Sequence, residues 1–216
     1  MENPELNVLV FGSSGTLGNS IVKEFALRGS SVTIGPRDLE KLTSDSVFDS
    51  VIWAQGMNES KSLRDSSAET EIKIFNANYF FVTESLRILL TKNILSTNAR
   101  LVILGSIWSD LGKENKSSYA ASKAAVTSLV RSLIQEQDFQ NISINVVSPG
   151  VVDSKMTREN LTEHQIESIK NDTPGKKIVT SEEVSKIVYF LASAESHGIN
   201  GQNIVIDNGW SIGRNV

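Results

Sequence analysis

The sequence predicts an α/β fold built on a doubly wound parallel sheet, and three observations carry that expectation. Apolar runs of strand length alternate with longer segments of helical period, the order in which strand-helix-strand units build a parallel sheet. The strand cores, such as Val8-Leu9-Val10-Phe11 and Leu101-Val102-Ile103-Leu104, show no polar alternation, as expected where both faces are covered. A glycine-rich turn follows the first of these runs and leads into a helical segment.

Strands are expected at Leu6 to Phe11, Ser31 to Ile34, Ser50 to Ala54, Ala99 to Leu104, Ser143 to Val147 and Asn203 to Ile206. Helices are expected at Leu17 to Arg28, Ala68 to Lys92, Ser117 to Phe139, Glu163 to Lys170 and Glu182 to Ala194. Ser181 followed by Glu182 and Glu183 reads as an N-cap with first-turn acids, and Gly29 after Arg28 as a C-cap. The least regular stretch, Asp153 to Lys177, contains Pro174-Gly175 and suits a lid beside a site. A chain of 216 residues of this pattern is expected to form a single domain over residues 1–216.

With 39% hydrophobic and 21% charged residues, the composition is that of a folded globular protein rather than a disordered chain. A net charge of -4 without a basic cluster argues against nucleic acid as a partner. The absence of cysteine excludes disulfides, thiolate metal sites and cysteine nucleophiles. His164 and His197 lack paired ligand spacing, so neither a metal site nor a Ser-His-Asp triad is expected. The first five residues do not resemble a signal peptide and no apolar run is long enough to span a bilayer, which points to the cytoplasm without a membrane partner.

The turn Gly12-Ser13-Ser14-Gly15-Thr16-Leu17-Gly18 allows a sharp reversal, close backbone approach to a pyrophosphate, and helix N-terminal amides aimed at negative charge. Dinucleotide binding is one reading of such a triplet; a tight turn without a ligand is the other. Tyr119 and Lys123 lie four apart in a helical run, so they project from one face, and an adjacent ammonium is expected to lower the phenol pKa towards usefulness as a general acid or base. A surface tyrosine with a neighbouring lysine is the plainer alternative. Ser106, just past the end of a strand, would donate to a developing alkoxide, or else is simply a turn serine.

Taken in order along nearly the whole chain, these residues resemble the short-chain dehydrogenase/reductase family. Besides the turn at 12–18, Ala54-Gln55-Gly56 stands at the family's Asn-Ala-Gly turn, Asn78 in a helix precedes Ser106, Tyr119 and Lys123, and Ser148-Pro149-Gly150-Val151-Val152 is similar to its Pro-Gly segment. The closing helix and strand are matched by Thr180 to Val184, Phe190 to Ser193 and Gly201 to Gly209. The resemblance implies a Rossmann-type three-layer sandwich and NAD(P)-dependent hydride exchange with a small carbonyl or alcohol substrate. In it Tyr119 is the acid or base, Lys123 tunes the phenol and holds the nicotinamide ribose, Ser106 positions the substrate oxygen, and Asn78 orders a relay water. Cofactor contacts are implied for Gly12, Ser13, Ser14, Gly15, Thr16, Leu17, Gly18, Arg37, Ala54, Gln55, Gly56, Tyr119, Lys123, Pro149, Gly150, Val152 and Ser154.

The pattern also departs from the family. Glycines 12, 15 and 18 fall three apart, the asparagine before Ala-Gly is absent, and the interval from Gly35 to Ala54 is too short for the usual helix, third strand and further helix. A shortened sheet is expected there. Gly35 occupies the position of the acid that selects NAD, while Arg37 favours NADP, with Asp38 as a complicating neighbour and NAD still open. Ile107, Trp108, Val151, Met156 and Trp210 are candidates for an apolar substrate cleft. The family habit implies a homodimer or homotetramer through the Asn78 and Tyr119 helices. A catalytically idle dinucleotide-binding sensor or scaffold is the alternative function.

Overall fold

The computed structural model describes residues 5–42 and 47–212, and within them the side chains of Lys155, Met156 and Asn160 are not described. Six parallel strands form one sheet in the order β2-β1-β3-β4-β5-β6: β1 (Asn7–Phe11), β2 (Ser31–Ile34), β3 (Phe48–Trp53), β4 (Leu95–Leu104), β5 (Ser143–Pro149) and β6 (Asn203–Ile206). Each expected strand is present. β4 starts earlier than expected because its first residues pair with Phe48 across a register shift.

The alternation of side chains along the strands divides the core into two layers. Leu9, Phe11, Val51, Trp53, Leu101, Ile103, Ile144 and Val146 pack against α3 (Phe81–Thr91) and α4 (Ser117–Leu133). On the other face, Val8, Val10, Ile52, Val102, Leu104 and Val147 pack against α1 (Thr16–Leu27) and α7 (Ser181–Ala192). Helices on both faces of a parallel sheet make the doubly wound sandwich.

The short interval is resolved as expected: among the described residues, only a 3-10 turn, Leu39–Lys41, lies between β2 and β3. β2 therefore ends the sheet, and its Ile34 is half exposed.

Several boundaries differ from the expectation. The expected single helix Ala68 to Lys92 is α2 (Ala68–Phe75), a π turn (Asn76–Phe80) and α3. α4 stops at Leu133, and Phe139 belongs to a separate 3-10 turn. The last long helix is capped by Thr180, not Ser181: the Thr180 hydroxyl accepts from the Glu183 amide, and the Glu183 carboxylate accepts from the Thr180 amide. Gly29 takes the left-handed conformation (φ +81) expected after the helix ending at Arg28. In the least regular stretch the helix expected at Glu163 to Lys170 is present as α6 (Glu163–Asp172), and an unexpected short helix, α5 (Lys155–Asn160), precedes it. No helix among the described residues is long and apolar enough to cross a membrane, and no cluster of His, Cys, Asp or Glu there could hold a metal ion.

Candidate active site at the carboxyl edge of the sheet

All the sequence-derived site residues except Asn78, which lies in the π turn beyond α2, stand on strand ends, on the turns after them, or on the helices that follow. This is the edge where an open α/β sheet offers a crevice. In the first turn, Gly12 has φ +78, and a Cβ there would lie 2.4 Å from the Gln55 amide nitrogen. At Gly18 a Cβ would come within 2.1 Å of the Gly12 carbonyl oxygen. Packing alone thus requires these two glycines. Gly15 differs: its φ of −77 suits any residue and a Cβ would meet nothing closer than 3.5 Å. Nothing inside the protein demands glycine at that position.

Gly15 is also the N-cap of α1, and no side chain accepts from the amides of that first turn, which contains no acidic residue. By contrast, α2, α6 and α7 are capped by the Ser67, Thr162 and Thr180 hydroxyls. Ser13, Ser14, Thr16 and Leu17 line the same partly open turn. An uncapped helix start beside an open glycine has the form of a phosphate cradle. Next to it, Ala54 donates its amide to the Phe11 carbonyl at 3.0 Å, and Gln55 Oε1 is buried without a hydrogen-bond partner.

Gly35 has no room for the expected NAD-selecting acid, because a Cβ there would press to 2.3 Å from the Phe11 ring. Asp38 accepts from the Glu40 amide and lies 3.6 Å from Lys41. Its carboxylate is thereby committed to its own turn. Arg37 is exposed and borders a surface hollow of about 420 Å³ with Phe81, Glu84 and Ile88.

The three proposed reacting groups meet. Ser106 is buried just past the end of β4, and its hydroxyl acts on the Tyr119 phenol in the first turn of α4, favouring the phenolate. Ser106 Oγ also accepts from the Trp108 amide at 3.3 Å. Lys123, one turn beyond Tyr119, is buried and donates from Nζ to the Leu104 carbonyl at 2.7 Å. A Cβ on Gly56 would lie 3.5 Å from that Nζ and 3.0 Å from Asn78 Oδ1, so the absence of a side chain there keeps the groove open to the lysine.

The electrostatics correct one expectation. The Tyr119 pKa is raised, not lowered: burial disfavours the phenolate, and the hydrogen bond from Ser106 only partly offsets it. Lys123 points past the ring, its Nζ 5.9 Å from the Tyr119 centroid and bonded to Leu104 instead of the phenol. Burial also pushes the lysine down to about 8.

Asn78 is buried in the π turn. Its Oδ1 accepts from the Met57 amide at 2.7 Å, and its Nδ2 donates to the Met57 carbonyl and to Ser122 Oγ, each at 2.9 Å. Ser122 in turn donates to the Tyr119 carbonyl at 2.7 Å. Both amide hydrogens are spent on this clasp between the turn after β3 and α4. Ser122, absent from the expected site, could have been suspected only from its place beside Lys123.

At the end of β5, Gly150 donates its amide to Ile206, and a Cβ there would lie 2.7 Å from that of Asp207. Pro149 closes the strand. Val151 and Asp153 bond to Val179, so the amide and carbonyl of Val152 face the other way, and the carbonyl accepts from the Thr157 hydroxyl. The Ser154 hydroxyl accepts from the Thr157 amide as the cap of α5. Of the cleft candidates, Ile107 is core, whereas Trp108 and Trp210 meet edge to face at 5.6 Å. The Met156 side chain lies outside the described ones.

The family model described as Enoyl-(Acyl carrier protein) reductase matches residues 40–211. The chain is 28% identical to the 3-oxoacyl-(acyl-carrier-protein) reductase MabA of Mycobacterium tuberculosis over 234 aligned positions, covering 96% of this chain and 93% of that one. It is 32% identical to the 3-oxoacyl-(acyl-carrier-protein) reductase FabG of Buchnera aphidicola over 141 positions, 65% of this chain and 56% of that one. In fold it is similar to a short chain dehydrogenase family protein from Francisella tularensis, with a TM-score of 0.85 at 23% identity over 96% of this chain and 99% of that one. It is equally close in fold to the aldohexose dehydrogenase of Thermoplasma acidophilum, at 0.85 and 20% identity over 98% and 96%. A further neighbour is ElxO with NADP bound, at 0.79 and 20% identity over 96% and 99%. The family match over most of the length and the parallel sheet with its glycine turn lead to one assignment: the chain belongs to the short-chain dehydrogenase/reductase family of oxidoreductases.

Proposed function

We propose that this protein reduces the keto group of a 3-oxoacyl-type substrate with NADPH, Tyr119 supplying the proton. The observation that carries the proposal is the convergence of buried Ser106, Tyr119 and buried Lys123, whose Nζ lies 5.9 Å from the Tyr119 ring centroid, at the mouth of a glycine-lined groove. The choice of substrate class draws on the names of the relatives.

The residues present fit a dinucleotide. The uncapped start of α1 and the open side of Gly15 would take the pyrophosphate, flanked by Ser13, Ser14, Thr16 and Leu17. Arg37, without an acid at position 35, would meet a 2'-phosphate. Ala54, Gln55 and Gly56 would border the adenosine side, and Lys123, Pro149, Gly150, Val152 and Ser154 the nicotinamide side. When bound, the cofactor supplies the hydride.

The remaining steps belong to the chain. Ser106 and Tyr119 both hydrogen bond to the substrate carbonyl oxygen. As negative charge gathers on that oxygen, Ser106 stabilises it and Tyr119 transfers its proton, leaving an alcohol and a phenolate. A raised pKa keeps Tyr119 protonated around neutrality, the state a reductase needs at the start. Lys123 is mostly cationic at pH 7 and stabilises the phenolate as it forms. Asn78 holds the turn after β3 against α4 and so positions both Tyr119 and Lys123. The intact set disfavours an idle sensor. The same reading takes the whole chain as one catalytic unit, and the exposed Ile72 and Phe80 on the Asn78 helix suit a homo-oligomer.

Titration with NADPH and NADH, followed by nicotinamide fluorescence, and turnover of acetoacetyl thioesters test the proposal together. Expected are tighter binding of NADPH and its consumption with the thioester. Absence of binding to both nucleotides, or binding without turnover of any 3-oxoacyl thioester, would contradict it.

A further inference from the structure

Resting on that reading and deepening it, we propose that Lys113 and Lys116 form an anion-reading rim on the substrate side of the cleft. The preferred substrate is then a carbonyl compound with a negatively charged portion, whose apolar part lies against Trp108 and Trp210.

Trp108 stands two residues after Ser106, and its amide donates to the Ser106 hydroxyl, which fixes it at the edge of the reacting pair. Trp210 comes from the turn after β6. The Asp207 carboxylate holds that turn by accepting from the Gly209 and Ser211 amides, and Asp207 itself packs on Gly150. The two indoles, from different strand ends, meet at 79° and form one wall. Lys113 Nζ lies over the Trp108 ring, 5.7 Å from its centroid. Lys116 donates to Asn58 Oδ1 at 2.9 Å and to Ser60 Oγ, and the Asn115 carbonyl accepts from the Lys61 amide, so the loop after β3 is tied to this rim.

Both cations are held at this rim, Lys113 by the Trp108 ring and Lys116 by Asn58 and Ser60. Burial, reinforced by the neighbouring charge of Lys113, lowers the Lys116 pKa. Among the described residues no carboxylate lies within ion-pairing distance of Lys113 or Lys116. Glu59 is paired with Lys61, and Asp110 accepts from Asn203 and Ser109. The charge of Lys113 acts on Lys116, with exposed Glu114 between them in the chain, and an anion seated at this rim would offset that repulsion.

The test uses the full chain and two thioesters with the same acyl group, acetoacetyl-coenzyme A, which carries phosphates, and the neutral acetoacetyl-N-acetylcysteamine. In the wild type the ratio of their kcat/KM values is expected to favour the charged thioester and to fall with added salt. Lys113→Gln should lower that ratio about fivefold, the scale of one screened charge contact, and Lys113→Arg should restore it. An unchanged ratio in Lys113→Gln, with both thioesters turned over, overturns the rim and leaves the reductase reading standing. Quenching of tryptophan fluorescence by coenzyme A alone separates the two ideas further. Quenching that weakens in Lys113→Gln without turnover of either thioester supports the rim and removes 3-oxoacyl reduction. Neither turnover nor Lys113-dependent quenching overturns both.

Discussion

At the scale of single residues, the decisive facts are burial and the direction of a few side chains. Lys123 reaches the Leu104 carbonyl instead of the phenol, and the two buried groups shift in opposite directions: Tyr119 is raised and Lys123 lowered to about 8. The spacing of Tyr119 and Lys123 made their shared face legible in the sequence. The sign of the phenol shift was not, because it depends on the desolvation created by α4 closing over β4. Reduction needs a protonated phenol and a charged lysine, and raising the pH through about 8 discharges Lys123 first. Thus kcat/KM for reduction should fall above about pH 8, and Lys123→Arg should move that fall upward in a pH-rate profile. Cofactor choice belongs to this scale too. Arg37→Gln should weaken NADPH binding about tenfold more than NADH binding, as the loss of a phosphate-facing guanidinium would. Gly35→Asp, which would reinstate the missing acid, should lower stability by about 1–3 kcal/mol in urea melts, because its Cβ has to displace the Phe11 ring.

At the scale of elements, the six strands could be read because unbroken apolar runs in a doubly covered sheet leave little ambiguity. The π turn at Asn76–Phe80 was hidden, since the one-residue change of phase falls among the closely spaced apolar residues Ile74, Phe75, Tyr79, Phe80, Phe81 and Val82. It is nevertheless where the clasp sits: Asn78 joins Met57 and Ser122 from this turn. Asn78→Leu leaves the Met57 amide and carbonyl without their side-chain partners. It should cost about 1–3 kcal/mol of stability and lower kcat through misplacement of α4. Chemical denaturation and steady-state kinetics on the same preparation would check both. The cap of α7 was misplaced by one residue, because Thr180 and Ser181 are both good capping residues and only the Glu183 amide chooses between them.

At the scale of the whole molecule, the order of motifs along the chain conveyed both the fold and the place of the site, since strand ends in a parallel sheet converge on one edge. What the order could not convey is contact between distant loops. Trp108 and Trp210 meet although about a hundred residues separate them, and Asn58 reaches Lys116 across the groove. The short interval before β3 was visible as missing length, and its consequence is a sheet that ends at β2 with Ile34 half exposed. The most direct measurement of the central claim is single-turnover reduction of acetoacetyl-coenzyme A by the NADPH complex, comparing the wild type with Tyr119→Phe. A fall of about 10²–10⁴ in the rate of NADPH oxidation is expected for loss of the proton donor. An undiminished rate in the phenylalanine variant would contradict the role given to Tyr119.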